Sequence, residues 1–323
     1  MRSLTILLLL LFSPLVLSGQ LVKGTVLDKE SGSPVSLAAI YFNGTFAGTT
    51  SDPNGNFELD VSRYKSMPLT ISAVGYYSLT LRDYSVGEPI KIYLIPKVYE
   101  LGEVVVTEKT SKKDRKKNLN LFRREFLGTT SNGRRCEILN EEDISFLSSD
   151  HKDTLQVIAL KPILIHNTAL GYNITYYLDE FECCNKNKSL FFSGNIQFTE
   201  DLFTQRRFSE RRRRLAYFGS RMHFFRALWS DDLDSNHFTV RDSTATELEC
   251  QNLIIQGEGL TKYLKYPETL HISFYENRSR LFFLKEQVFF DKDGFFDPVG
   301  ISWAGNMARK RIGDWLPYEY SVE

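Results

Sequence analysis

The sequence lacks the residue sets that most hydrolases and nucleotide enzymes need. It has 5 histidines, His151, His166, His223, His237 and His271, and none is followed three positions later by glutamate. No His-Glu-x-x-His occurs either, so zinc held by a His-x-x-Glu pair is excluded. There is no Gly-x-Ser-x-Gly elbow, phosphate loop or dinucleotide fingerprint, and no cofactor is expected. Net charge is absent too: 40 basic residues balance 40 acidic ones, so no global field steers the chain to nucleic acid. Cysteine is sparse, with Cys136, Cys183, Cys184 and Cys250 all in the second half. In an exported chain they allow three full pairings; buried or free thiols are expected, with at most one bridge, such as Cys136 to Cys250. Cys183 and Cys184 would point to opposite faces of a strand.

After Leu17 no apolar run approaches the length of a membrane helix. The run before it, Leu4 to Leu17, follows Arg2 and ends at Ser18 and Gly19. That pattern predicts a secretory signal peptide over residues 1–19, shorter than a spanning helix and interrupted by Pro14. Gln20 stands where a lipoprotein would carry its cysteine, so the mature chain is expected in the periplasm or at the outer membrane without a lipid anchor.

From Leu21 to about Val106, short strand-like runs alternate with turn signals: Glu30-Ser31-Gly32-Ser33-Pro34, Asn43-Gly44 and Asp52-Pro53-Asn54-Gly55-Asn56. Such spacing predicts an all-β sandwich. Asp52, Asn54 and Asn56 alternate as calcium ligands do, but the glycine offset is wrong and no glutamate closes the loop, so a tight hairpin is expected.

The ordered elements Gly24-x-Val26-x-Asp28, Ser31-Gly32-x-Pro34, Gly48-Thr49-x-Ser51-Asp52 and Asn54-Gly55-x-Phe57 resemble the carboxypeptidase regulatory-like domain, a transthyretin-like β-sandwich. Val74-Gly75-Tyr76 and Leu101-x-Glu103-Val104-Val105-Val106 extend the resemblance to residues 20–107. It implies a non-catalytic module of the kind found on metallocarboxypeptidases and before the plug of TonB-dependent outer-membrane receptors of Gram-negative bacteria. The histidine pattern excludes the peptidase, and the chain after Val106 is too short for a receptor barrel. Four Asn-x-Ser/Thr tripeptides, at Asn43, Asn173, Asn187 and Asn277, are expected to carry no sugar in a bacterium.

Glu108 to Asn118 is highly charged and without apolar periodicity, which predicts a solvated linker. Residues 119–323 then predict a β-rich α+β domain, with a short helix over Asn120–Phe126 and clean alternation at Tyr172, Ile174, Tyr176 and Leu178. Between strands, Leu215, Phe218, Met222, Phe225 and Trp229 recur at helical spacing and predict one buried stripe. Arg207, Arg211, Arg214 and Arg221 fall largely on another face and form the candidate ligand surface, since guanidinium groups grip carboxylate and phosphate in bidentate fashion. The acids Asp179, Glu180 and Glu182, and Asp291, Asp293 and Asp297, are the alternative candidates, for glycoside hydrolysis.

The expectation is an exported, non-catalytic envelope binding or assembly protein whose partner is an envelope protein or glycan. Two rival readings are an envelope polysaccharide or peptide hydrolase and an accessory to a TonB-dependent outer-membrane transporter.

Overall fold

The computed structural model describes residues 20–65, 67–97, 111–148, 154–184, 186, 188–203, 206–257 and 261–322. The expected signal peptide, the Leu101–Val106 element and the start of the expected linker lie outside these residues. The fold is mainly β, arranged around three buried clusters.

Among the described residues, seven strands build the first unit: β1 (Leu21–Asp28), β2 (Ala39–Phe42), β3 (Gly48–Thr50), β4 (Asn56–Asp60), β5 (Leu69–Ser72), β6 (Leu79–Leu81) and β7 (Ile90–Leu94). They form two sheets, β4-β1-β7 and β3-β2-β5-β6, with β1 and β7 parallel. Val22 and Val26 of β1 and Phe57 and Leu59 of β4 alternate inward, and meet Ile40, Phe42, Leu69 and Ile71 of the other sheet. The tight turn expected at Asp52–Asn56 is present, with the Asp52 carboxylate accepting from the amides of Asn54 and Asn56, both at 2.8 Å, but it is not a hairpin: β3 pairs with β2 and β4 with β1, so the turn carries the chain from one sheet to the other. Gly55 takes φ 78°, and its missing Cβ leaves room for the Val26 carbonyl.

Helix α1 (Lys112–Leu127) begins five residues after the first unit's expected end at 107, so the expected linker is helical from Lys112 onward. Charge concealed this, because lysine and arginine are good helix formers that give no apolar signal. The Ser111 hydroxyl accepts from the Asp114 amide and caps the first turn. Arg115 bonds the carbonyls of Glu141 and Ile144, at 2.8 and 2.9 Å, and thereby ties the charged end to the sheet beneath. Phe122 and Phe126, one turn apart, stack at 4.8 Å and meet the edges of Phe181 and Tyr176.

That sheet has six strands: β8 (Cys136–Ile138), β9 (Ile144–Ser148), β10 (Thr154–Ala159), β11 (Ile163–Asn167), β12 (Tyr172–Cys184) and β13 (Ser189–Glu200). The long β12 pairs with β11 and β10 along one side and with β13 on the other. Two helices follow, α2 (Arg206–Tyr217) and α3 (Arg221–Trp229), broken at Gly219 with φ 65°. The third cluster gathers α3 against a five-stranded sheet, β15-β14-β18-β19-β21, and a three-stranded one, β16-β17-β20. Their strands are β14 (Phe238–Arg241), β15 (Glu247–Leu248), β16 (Ile254–Gln256), β17 (Lys262–Leu264), β18 (Leu270–Phe274), β19 (Asn277–Phe283), β20 (Val288–Phe290) and β21 (Ile301–Gly305).

The units are joined by hydrogen bonds as well as by sequence. The turn between β2 and β3 lies along the free edge of β13: Gly44 donates to the Ile196 carbonyl at 2.8 Å, and Phe198 donates to the Thr45 carbonyl at 3.0 Å. The C-terminal segment closes over the same turn. Tyr318 donates to the Gly44 carbonyl at 2.9 Å, and the Glu319 carboxylate accepts from the Phe46 amide and the Tyr64 hydroxyl. Gly44 is required here, because a Cβ would lie 2.6 Å from the Tyr318 ring at a φ of 81°.

Candidate functional site

The expected arginine face lies on the α2–α3 segment, and the structure divides its members. Arg211 and Arg214 are exposed, with Arg214 lying over the Phe218 ring at 5.7 Å. Arg221 is half-buried, its guanidinium 5.6 Å from the Trp303 ring centre and its Nε enclosed without a hydrogen-bond partner. Burial, with Arg311 nearby, pulls Arg221 down to about 10. The backbone of Arg207 belongs to α2, and its side chain lies outside the described residues. Of the described side chains, Arg211 and Arg214 share one exposed surface and Arg221 does not join it.

What fixes their outward direction is Arg213, which the spacing did not single out. Its guanidinium is buried, donating to the Leu170 carbonyl at 2.7 Å, the Gly171 carbonyl at 3.2 Å and the Glu200 carboxylate at 2.9 Å. It also lies 4.0 Å from the Tyr172 ring centre. With position 213 inward, Phe208, Arg211 and Leu215 stand on the opposite face of the helix. Phe208 and Leu215 are seven residues apart, close to two turns, and are 71% and 67% exposed. Leu215 was expected in the buried stripe; the break at Gly219 resets the helical phase, so only Phe218, Met222, Phe225 and Trp229 of that stripe pack inward.

Just before α2, Leu202 and Phe203 are 89% and 97% exposed. They sit on a turn held from below. The buried Asp201 accepts from the Phe203 amide at 3.0 Å and meets His166 Nε2 at 3.0 Å, while its own amide donates to the Gly171 carbonyl. The one acid of α2, Glu210, accepts from the Tyr320 hydroxyl. The outer strip thus combines large apolar side chains with arginines. Phe208 and Leu215 within an arginine run were the sequence signal for it, at a seven-residue spacing.

Of the acidic candidates, Asp291 and Asp297 perform structural work. Asp291 is buried and accepts from the amides of Asp293 and Phe295, and burial pushes its carboxyl up to about 6. Asp297 caps the turn after it through the Val299 amide and pairs with Arg82 and Lys285, each at 3.1 Å. Asp179 and Glu180 are exposed at an irregularity in β12. The pocket beside Asp179, lined in part by Tyr76, Lys97, Lys161 and Tyr177, holds about 20 Å³, room for one water and no sugar ring. Among the described residues no group of His, Cys, Asp and Glu could hold a metal ion.

The structure holds the cysteines as free thiols and does not bridge Cys136 to Cys250, the one pairing named as possible. Cys136 is packed on the six-stranded sheet and Cys250 is buried in the third cluster. Burial pushes each up to about 12, which leaves them protonated and poorly nucleophilic.

No curated protein matches this chain. Among solved structures, a Bacteroides fragilis protein of unknown function is 12% identical, with 88% of this chain and 94% of that chain covered, at a TM-score of 0.19, too low to transfer fold or activity. Residues 22–106 match the family model described as CarboxypepD_reg-like domain. The match falls on the β-sandwich of the first unit and its turns, and that unit is similar to carboxypeptidase regulatory-like domains.

Proposed function

We propose that the protein is an exported, non-catalytic binding module of the bacterial envelope that presents the outer face of α2 to an anionic partner. The observation that carries this reading is the arrangement on that helix. Arg213 is buried and anchored, while Arg211 and Arg214 stand in solvent beside exposed Phe208 and Leu215. An exposed apolar and cationic strip on a rigid support has the makeup of a recognition surface. The fixed joint between the sandwich and β13 supports an assembly role, because it holds both units as a scaffold for that strip.

The test is equilibrium binding to isolated envelope fragments, comparing wild type with an Arg211→Gln/Arg214→Gln variant. Saturable binding weakened in the variant supports the reading. Equal binding by both proteins, or none by either, removes it.

A further inference from the structure

We infer that the Leu202–Phe203 turn and the outer face of α2 form a docking surface for an anionic lipid bilayer. This rests on the binding reading above and names its partner.

Three observations converge. Leu202 and Phe203 are almost fully exposed at adjacent positions, yet the turn that carries them is fixed, through buried Asp201, its bond to the Phe203 amide and its contact with His166. Side chains this apolar, held rigidly in water, fit an occupant that is itself apolar at that depth. Phe208 and Leu215 continue the same character along α2, and the inward anchoring of Arg213 turns them away from the protein. Large apolar side chains flanked by arginines can enter the interface while the arginine stems lie alongside and keep their charged heads at the headgroup level.

Charge supplies the choice of lipid. Arg211 and Arg214 are exposed beside the apolar positions, and the one acid of α2, Glu210, is directed to the Tyr320 hydroxyl and away from them, so the outer strip itself carries only positive charge. Guanidinium stems can lie along acyl chains while their heads reach phosphate. A protein partner would need a surface shaped to four separate side chains; a bilayer needs no such complementarity and accepts each one independently. Among the described residues no helix is long and apolar enough to cross a membrane, so the proposed association is peripheral.

The experiment is vesicle co-sedimentation of the mature chain with phosphatidylethanolamine–phosphatidylglycerol vesicles, against phosphatidylcholine vesicles as the neutral control. Three proteins are compared: wild type, Leu202→Ser/Phe203→Ser, and Arg211→Gln/Arg214→Gln. All substituted positions are exposed, and thermal unfolding checks that the variants fold as wild type does. The expected result is binding to the anionic vesicles that falls with added salt, and a loss of roughly tenfold or more in partitioning for each variant.

Failure to bind anionic vesicles overturns the lipid assignment, as does binding unchanged in both variants. If wild type then still binds envelope fragments, the partner is a protein or glycan and the binding reading stands alone. If it binds neither, both fall. Self-association abolished by Phe203→Ser, without vesicle binding, would assign the strip to a second copy of this chain and also overturn the inference.

Discussion

The Asn43 side-chain carbonyl accepts a hydrogen bond from the Ile196 backbone amide at 2.8 Å, linking the β2–β3 turn of the sandwich to the outer edge of β13. Ile196 already belongs to a strand paired with β12 on its other side, so this contact satisfies an edge group that would otherwise be left open. The tripeptide beginning at Asn43 has the form of a glycan acceptor, and the structure uses it as a joint between units. Asn43→Ala is expected to cost about 1–3 kcal/mol, because the Ile196 amide loses its acceptor in a partly buried place. Asn43→Asp keeps an acceptor oxygen and is expected to cost less. Urea unfolding of the two variants checks this, and an alanine variant as stable as wild type would show that the joint adds nothing.

Arg213 and Arg211 lie two residues apart and are expected to respond oppositely to substitution. Arg213→Ala strands the Leu170 and Gly171 carbonyls and leaves Glu200 without its partner, for an expected loss of about 3–5 kcal/mol. Arg213→Lys restores the charge without the planar fork and is expected to recover only part of that. Arg211→Ala is expected to stay within about 0.5 kcal/mol of wild type, as an exposed position should. Midpoints of denaturant unfolding at fixed slope decide the order.

The thiols give a covalent check. With Cys136 and Cys250 free and in separate clusters, the protein purified without reductant is expected to migrate identically with and without reductant. Alkylation after unfolding is expected to add four groups, one for each cysteine in the sequence. A mass two protons lighter, with two cysteines protected, would show that a bridge forms.

The features legible in the sequence were those set by neighbours along the chain. Tyr172, Ile174, Tyr176 and Leu178 alternate in sequence and are all buried on one face of β12. Asp52 and Gly55 specify their turn through contacts no more than four residues apart. What escaped depends on distant partners. The inward direction of Arg213 is set by carbonyls more than forty residues away, and the exposure of Leu215 by a helix break that a repeating pattern runs across. The Lys112–Asn118 segment offered a readable cap in Ser111 and Asp114, but its charge pointed to a linker. That residues 119–323 surround two clusters rather than one could not be read from strand signals, which report a face and not what it meets.

His223 and Asp291 make acid stability a test of opposing slopes. His223 is buried with Nδ1 accepting from the Gly219 amide and Nε2 placed to donate to the Asn236 side-chain oxygen, so it is held neutral; burial pulls it down to about 4. A depressed folded value means that its contribution is full above pH 6.5 and is lost as pH falls toward 4, where the unfolded chain takes up the proton first. Asp291 has the reverse sign. Its value, raised to about 6, means that the folded state holds the proton more tightly, so stability is lost as pH rises from about 4 to 6. Each shift is worth roughly 3 kcal/mol across overlapping windows, so the two contributions largely cancel. The expected outcome is that Asp291→Asn gains on wild type as pH rises from 4 to 6, its amide oxygen still accepting from Asp293 and Phe295. His223→Gln is expected to lose on wild type most at neutral pH and least near pH 4. Unfolding free energies from denaturant titrations at pH 4, 5, 6 and 7 would separate them, and parallel pH profiles for all three proteins would show that neither group is held in the state its surroundings imply.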